Sequence, residues 1–250
     1  MLIGSFAPDF EYFLNMAPHG QFGHTLAGMF LFSLPVALVV LWLFHRWVKP
    51  LVAYMAPRAL RARLAPYLAP FPFAPRRRFL LIALSALAGI ATHIAWDSFT
   101  HPGMPLVQHW AALRALHRVP LLGVHQTCRI LQLISTFAGL AVLCGWAARW
   151  YDRAEVVALP PEPQWELRRA ALWLGLPLGA AVCAALRVWV RNGGHWGHFG
   201  YSLMVFVVSW IAFLWWWMVV AGYFADSAGE LNRRSQGVNA ALTVAPDTDE

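Results

Sequence analysis

Five apolar runs, each about twenty residues long, constrain this chain more than any motif in it. They cover 24–48, 79–96, 130–148, 170–190 and 199–224. A helix needs about 20 apolar residues to cross a hydrocarbon core about 30 Å thick. Lipid offers no partner to backbone N–H and C=O groups, so such a run in a bilayer closes its hydrogen bonds internally. The expected fold class is therefore all-α: a polytopic membrane helix bundle with about five transmembrane helices. Composition agrees, with 59% hydrophobic and 12% charged residues, against about 25% charge in a soluble domain. Fourteen tryptophans suit aromatic belts at two lipid–water boundaries. Residues 1–225 form the expected single membrane-embedded domain. Residues 226–250 read as a polar, disordered cytoplasmic tail.

Finer features follow from composition along the chain. Pro35 predicts a kink in the first run. Gly175 and Gly179 predict close helix packing in the fourth. Residues 58–68 predict a short basic helix on the membrane surface, 110–118 an interfacial helix, and Pro160-Pro161-Glu162-Pro163 a loop. Cys128, Cys144 and Cys183 show no paired spacing, which argues against a disulfide framework or a thiolate zinc site. The first 23 residues contain no Lys or Arg and include Asp9 and Glu11, so no signal peptide is expected.

Basic residues set the orientation, because Lys and Arg concentrate in cytoplasmic connections. Fourteen of the 19 fall on one side, in connections 45–78 and 149–169 and in the tail; the other five include Arg187 and Arg191 at a span edge. The N-terminus is therefore expected outside and the C-terminus in the cytoplasm of a bacterial inner membrane. The net charge of +7 reports this topology, and nucleic acid is not an expected partner. The expected partner is the lipid bilayer itself; oligomeric state cannot be read from the sequence.

The histidines then fall into place. Nine of ten, with Asp9, Glu11 and Asp97, lie on the outer side; only His45 is inside. The focus is His93-x3-Asp97-x3-His101, at the end of the second run. Residues four apart share a helix face, and ionisable groups at such a position are costly unless they work. Imidazole and carboxylate are ligands for zinc, manganese or iron(II). The candidate metal ligands are Asp9, His24, His93, Asp97 and His101, with zinc the leading divalent ion. His101 is the weakest of them, because Pro102 ends the helix beside it. Glu11 and Asp97 are candidate catalytic carboxylates, Glu11 as a general base or as a supporting partner of the ligands. Arg187, Arg191 and His195 are candidate substrate contacts, since guanidinium groups bind phosphate bidentately. A bland reading stands beside each of these. The arginines would only snorkel to the interface, His109, His117 and His125 would be interfacial, and His93/Asp97 would be a buried pair bridging helices.

Ala7-Pro8-Asp9-Phe10-Glu11-Tyr12-Phe13, His24-Thr25, His93-x2-Trp96-Asp97-x-Phe99-Thr100-His101 and Gln132-x2-Ser135-Thr136-x2-Gly139 resemble a bacterial membrane family known only as a domain of unknown function. The resemblance covers most of residues 4–145. More distantly, the order of the Pro-Asp, Thr-His and His-x3-Asp segments is similar to YdjM-type inner-membrane proteins, described as metal-dependent hydrolases. These resemblances imply metal binding by Asp9, His24, His93 and Asp97. Members of the first family carry a further Ser-His-Pro-type segment ahead of the Ala-Pro-Asp piece. The chain as read begins at Met1, so the expectation is either a different start or one ligand fewer.

Two functions from different classes follow. The first is an inner-membrane metal-dependent hydrolase with a periplasm-facing His/Asp site, acting on phosphoester or lipid-linked substrates. The second is a non-enzymatic membrane protein, a transport or assembly partner, with interfacial histidines. Central charge is nearly missing from the five runs, which disfavours a transport path. A haem protein is a minor third reading, since axial histidine pairs would have to face each other within the bundle.

Overall fold

The computed structural model describes residues 1–120, 123–159, 167–195 and 199–227. The expected loop at 160–163, His198 and the tail beyond Ser227 lie outside these described residues. Among the described residues the structure is mainly helical, the only strands form one small hairpin, and five helices are long and apolar enough to cross a membrane. The spans are Leu26–Met55, Arg76–Thr100, Thr127–Arg153, Leu167–Arg191 and Phe199–Ser227. The second span has 25 residues, about 37 Å at 1.5 Å per residue. Its last turns therefore extend past the apolar run, and they carry Asp97.

In the first span, wider π turns at Met29–Ser33 and Phe44–Val48 flank an α segment, Leu34–Leu43, with Pro35 in its first turn. A proline removes one helical N–H and crowds the turn before it. The helix answers with a π turn upstream and continues.

Small residues set the close contacts. The N-terminal helix Leu2–Phe6 lies against the second span. A Cβ on Gly4 would sit 2.2 Å from the Ala86 carbonyl oxygen, and one on Gly89 would sit 2.3 Å from that of Met1. Ala7, Ala37, Ala86 and Ile90 form the buried cluster around this crossing. The fourth and fifth spans pair through Gly179 against the Trp217 ring and through Trp210 Nε1–H donating to the Pro177 carbonyl at 2.9 Å. Gly175 has no atom within 4 Å of its would-be Cβ, so only half of the predicted small-residue pair packs a neighbour. The fifth span meets the first through Gly222 and the Arg46–Asp226 ion pair at 2.6 Å.

The third span is fastened near its ends. Gln132 bonds His101 at one end, and Arg63 bonds the Tyr151 carbonyl at the other. Phe137, Leu140, Val142 and Trp146 along its middle are exposed, which suits a helix surrounded by lipid tails.

Two local expectations have different outcomes. The short basic helix is present as Arg58–Leu64 with a 3₁₀ turn, Ala65–Tyr67. The interfacial helix at 110–118 is not. Only Ala111–Arg114 is helical, and Leu116–Val119 pairs antiparallel with Gly123–Gln126. Gly123, with φ +90°, starts the returning strand. The paired strands satisfy each other's backbone groups, which a lone amphipathic pattern does not reveal.

Candidate metal centre

Three segments distant in sequence converge at one end of the bundle. Asp9 comes from the 3₁₀ turn Ala7–Asp9, His24 from the turn before the first span, and His93 and Asp97 from successive turns of the second span. Each is held by its own backbone context. Thr25 caps the first span, its hydroxyl oxygen accepting the Gly28 N–H at 2.9 Å. This fixes His24 one residue ahead of a helix N-terminus. The turn carrying His24 is pinned on both sides. The Gly23 N–H donates to Glu11 Oε2 at 3.0 Å, and the Ser33 hydroxyl donates to the Gly23 carbonyl at 3.1 Å. Side chains would not fit at Gly20 or Gly23, whose Cβ atoms would lie 2.8 Å from the Glu11 carboxyl and 2.6 Å from the Pro8 carbonyl oxygen.

The imidazoles aim their Nε2 atoms at the carboxylates. His24 Nε2 lies 3.4 Å from Asp9 Oδ1 and 3.3 Å from Asp97 Oδ2. His93 Nε2 lies 3.7 Å from the same Asp9 oxygen and 3.1 Å from the same Asp97 oxygen. His93 Nδ1–H donates to the Ser5 carbonyl at 2.7 Å, which leaves the Nε2 lone pair facing the carboxylates. Both Nε2 atoms are buried and neither makes a hydrogen bond. Orphaned buried nitrogens facing carboxylate oxygens suit a shared cation. Two donors about 2.1 Å from one tetrahedral ion would themselves be about 3.4 Å apart, in line with these four separations. Asp9, His24 and His93 thus form a group that could hold a metal ion, and Asp97 Oδ2 borders it.

His101 approaches from outside. Its Nδ1 is 3.4 Å from Asp97 Oδ1, the oxygen that faces away from His24 and His93. Gln132 Nε2–H donates to His101 Nε2 at 3.2 Å, so the Nδ1 carries the proton. Thr100 agrees: its hydroxyl donates to the Trp96 carbonyl at 3.1 Å and can only accept from His101 Nδ1 at 3.3 Å. Glu11 spends one carboxylate oxygen on the His24 turn. His109 and His117 bond the Pro105 carbonyl and the Thr127 hydroxyl, apart from the cluster. His195 is exposed in a turn after Gly193 and Gly194, both at positive φ.

Tyr12 is a participant the sequence did not single out. Its ring stacks on His24, with centroids 6.2 Å apart, and its phenol feels the charge of Asp9. Burial, then the charges of Asp9, Asp97 and Glu11, push this phenol up to about 12, so it stays a proton donor. Gln132 and Ser5 were likewise missed as partners of the site. Gln132 had a signal, since it lies within the Gln-x2-Ser-Thr pattern.

The facing carboxylate of Asp9, then that of Asp97, outweighs burial and raises His24 to about 9 in the metal-free protein. A metal needs neutral imidazole and must expel that proton. The apparent metal affinity is therefore expected to fall about tenfold per unit as pH drops below about 9. Competition titrations at several pH values, with proton release measured alongside, check this. Without metal the sign reverses. The His24 proton stabilises the fold fully below about 6.5, and that contribution is lost as pH rises through about 9.

Fold and site together define a class: a multi-pass helical membrane protein with a His/Asp group able to hold a metal ion at one end of its bundle. Residues 1–224 match the family described as Domain of unknown function (DUF4184), and the chain belongs to that family. The match takes in the region of the resemblance noted above and runs on into the fifth span. No protein of curated function and no solved structure matches the chain.

Proposed function

We propose that this protein is a metal-dependent hydrolase of the bacterial inner membrane. Its site would face the periplasm, and its substrates would be phosphoester or lipid-linked. The observation that carries this reading is the convergence of two buried, hydrogen-bond-free Nε2 atoms on carboxylate oxygens at 3.1–3.7 Å. The excess of basic residues at the opposite ends of the spans supports the orientation.

His24 and His93 would hold the ion through Nε2, with Asp9 and Asp97 supplying oxygen and balancing its charge. A divalent ion with an open position supplies Lewis acidity and activates water near neutral pH. The chain's own residues do the rest. Ser5 fixes the tautomer and direction of His93. Tyr12 stacks on the His24 ring and restrains it. Glu11 positions His24 through the Gly23 amide. Asp97 turns its other oxygen to the protonated Nδ1 of His101, which holds the carboxylate in place and in its charged form.

The test is metal content and hydrolysis in the full chain purified in detergent. About one zinc, manganese or iron(II) per chain is expected. Cleavage of a chromogenic phosphodiester should be lost with chelator, restored by metal and lost in His93→Ala. A chain that binds none of these ions, and that behaves identically after His93→Ala, would sink the proposal.

A further inference from the structure

We infer that Arg187 and Arg191 form a binding site for a phosphate group presented at the membrane boundary. As a substrate site this rests on the hydrolase reading; as a binding site it does not, because it uses none of the metal-holding residues.

The two arginines lie one turn apart at the end of the fourth span, and Arg191 is its last residue. Both guanidinium groups are charged at every relevant pH. Like charges at this spacing repel each other. Elsewhere the fold provides a counter-ion: Arg46 at the other end pairs with Asp226. Among the described residues, Arg187 and Arg191 have only neutral partners. Arg187 Nη1 donates to Ser209 Oγ at 3.3 Å, and its Nη2 donates to the Asn15 carbonyl at 3.1 Å. Arg191 Nη2 donates to the Tyr201 hydroxyl at 2.9 Å, and its guanidinium lies 5.6 Å from the Tyr201 ring centre.

These contacts hold both forks without neutralising them. Among the described residues, three of the ten N–H donors find a partner. Guanidinium matches phosphate geometry bidentately and is weakly hydrated, so an oxyanion shared by the pair relieves their repulsion. Free snorkelling would need no such fixed partners, and it does not account for Arg187 bridging to the N-terminal segment. That bridge also places the pair relative to the metal group. Asn15 ends the helix Phe10–Asn15, which directly follows Asp9. Six helical steps span about 9 Å, the scale of a lipid headgroup. A phosphate held by the arginines would therefore leave the rest of the headgroup within reach of the Asp9 cluster.

The phosphate could belong to a lipid or be free in solution. The full chain, delipidated in an uncharged maltoside detergent with chelator present, is titrated with phosphatidic acid in mixed micelles and separately with inorganic phosphate. Calorimetry reads binding. Wild type is expected to bind the micellar lipid, with Arg187→Gln/Arg191→Gln weakened at least tenfold and Arg191→Lys in between. Lipid binding without inorganic phosphate binding assigns a headgroup site; binding of both assigns a site open to either source. Arg191→Gln alone, which loses only the Tyr201 contact, keeps the test sound if the double variant does not fold. Wild type that binds neither probe, or folded glutamine variants that bind as wild type does, would overturn the inference. Chelator makes the outcome independent of the metal reading.

Discussion

Asp97→Ala is expected to lower divalent metal affinity by more than about 100-fold, the largest loss of any single side chain in this protein. Outer-shell partners of metal ligands typically cost 10–100-fold when removed, and a shared ligand should exceed that range. Asp97 Oδ2 lies within 3.3 Å of both imidazole Nε2 atoms, so the change removes the nearer of the two anions they share, Asp9 being the other at 3.4 and 3.7 Å. The side chain is only 11% exposed, so water replaces it poorly. His101→Ala is the informative comparison. It removes the partner of the opposite carboxylate oxygen and should stay within the 10–100-fold range. Competition against a chelator of known affinity measures both. Equal losses for the two variants, or an Asp97→Ala protein that binds as wild type does, would contradict the assignment of Asp97 to the centre.

Gly89→Val is expected to damage fold and site together. Its Cβ would lie 2.3 Å from the Met1 carbonyl oxygen and 2.8 Å from the Ser5 nitrogen, both backbone atoms that no side-chain rotation can clear. Overpacking of this kind costs about 1–3 kcal/mol or more. The N-terminal helix must lift from the second span, and it carries the Ser5 carbonyl that orients His93 and leads directly into Asp9. Metal affinity should therefore fall although residue 89 touches no ligand. Thermal unfolding in detergent, with metal titration on the same sample, reads both effects. Gly139→Val is the control, since nothing lies within 4 Å of that position. A Gly89→Val protein with unchanged metal affinity would mean that the crossing does not position the site.

Much of the candidate centre is legible in the sequence. His93 and Asp97 share a face because helical geometry is local, and four residues make one turn. Placing Asp9 and His24 beside them took the order of apolar runs, which brings the chain start and the end of the second span to the same side. Glu11 shows the limit. From sequence it was a carboxylate near others, equally suited to catalysis or support. In the fold its oxygen is committed to the Gly23 amide, a contact across twelve residues that no periodicity encodes. Gln132 and Tyr12 were passed over for the same reason: their roles depend on what lies across a gap between elements.

The hairpin at 116–126 failed differently. A four-residue strand has almost no pattern of its own and exists because its partner satisfies its backbone.

By itself the sequence determined the five spans, since hydrocarbon forces any apolar run of that length to be helical. It also determined which chemistry could gather at one end, because alternating spans sort their connections onto two sides. Only the tertiary structure decided which nitrogen faces which oxygen, that His101 meets the far oxygen of Asp97, and that Arg187 ties the fourth span to the segment bearing Asp9. Those outcomes hang on ångström-scale contacts between elements far apart in the chain, set by glycine crossings and backbone carbonyls that look alike in any sequence.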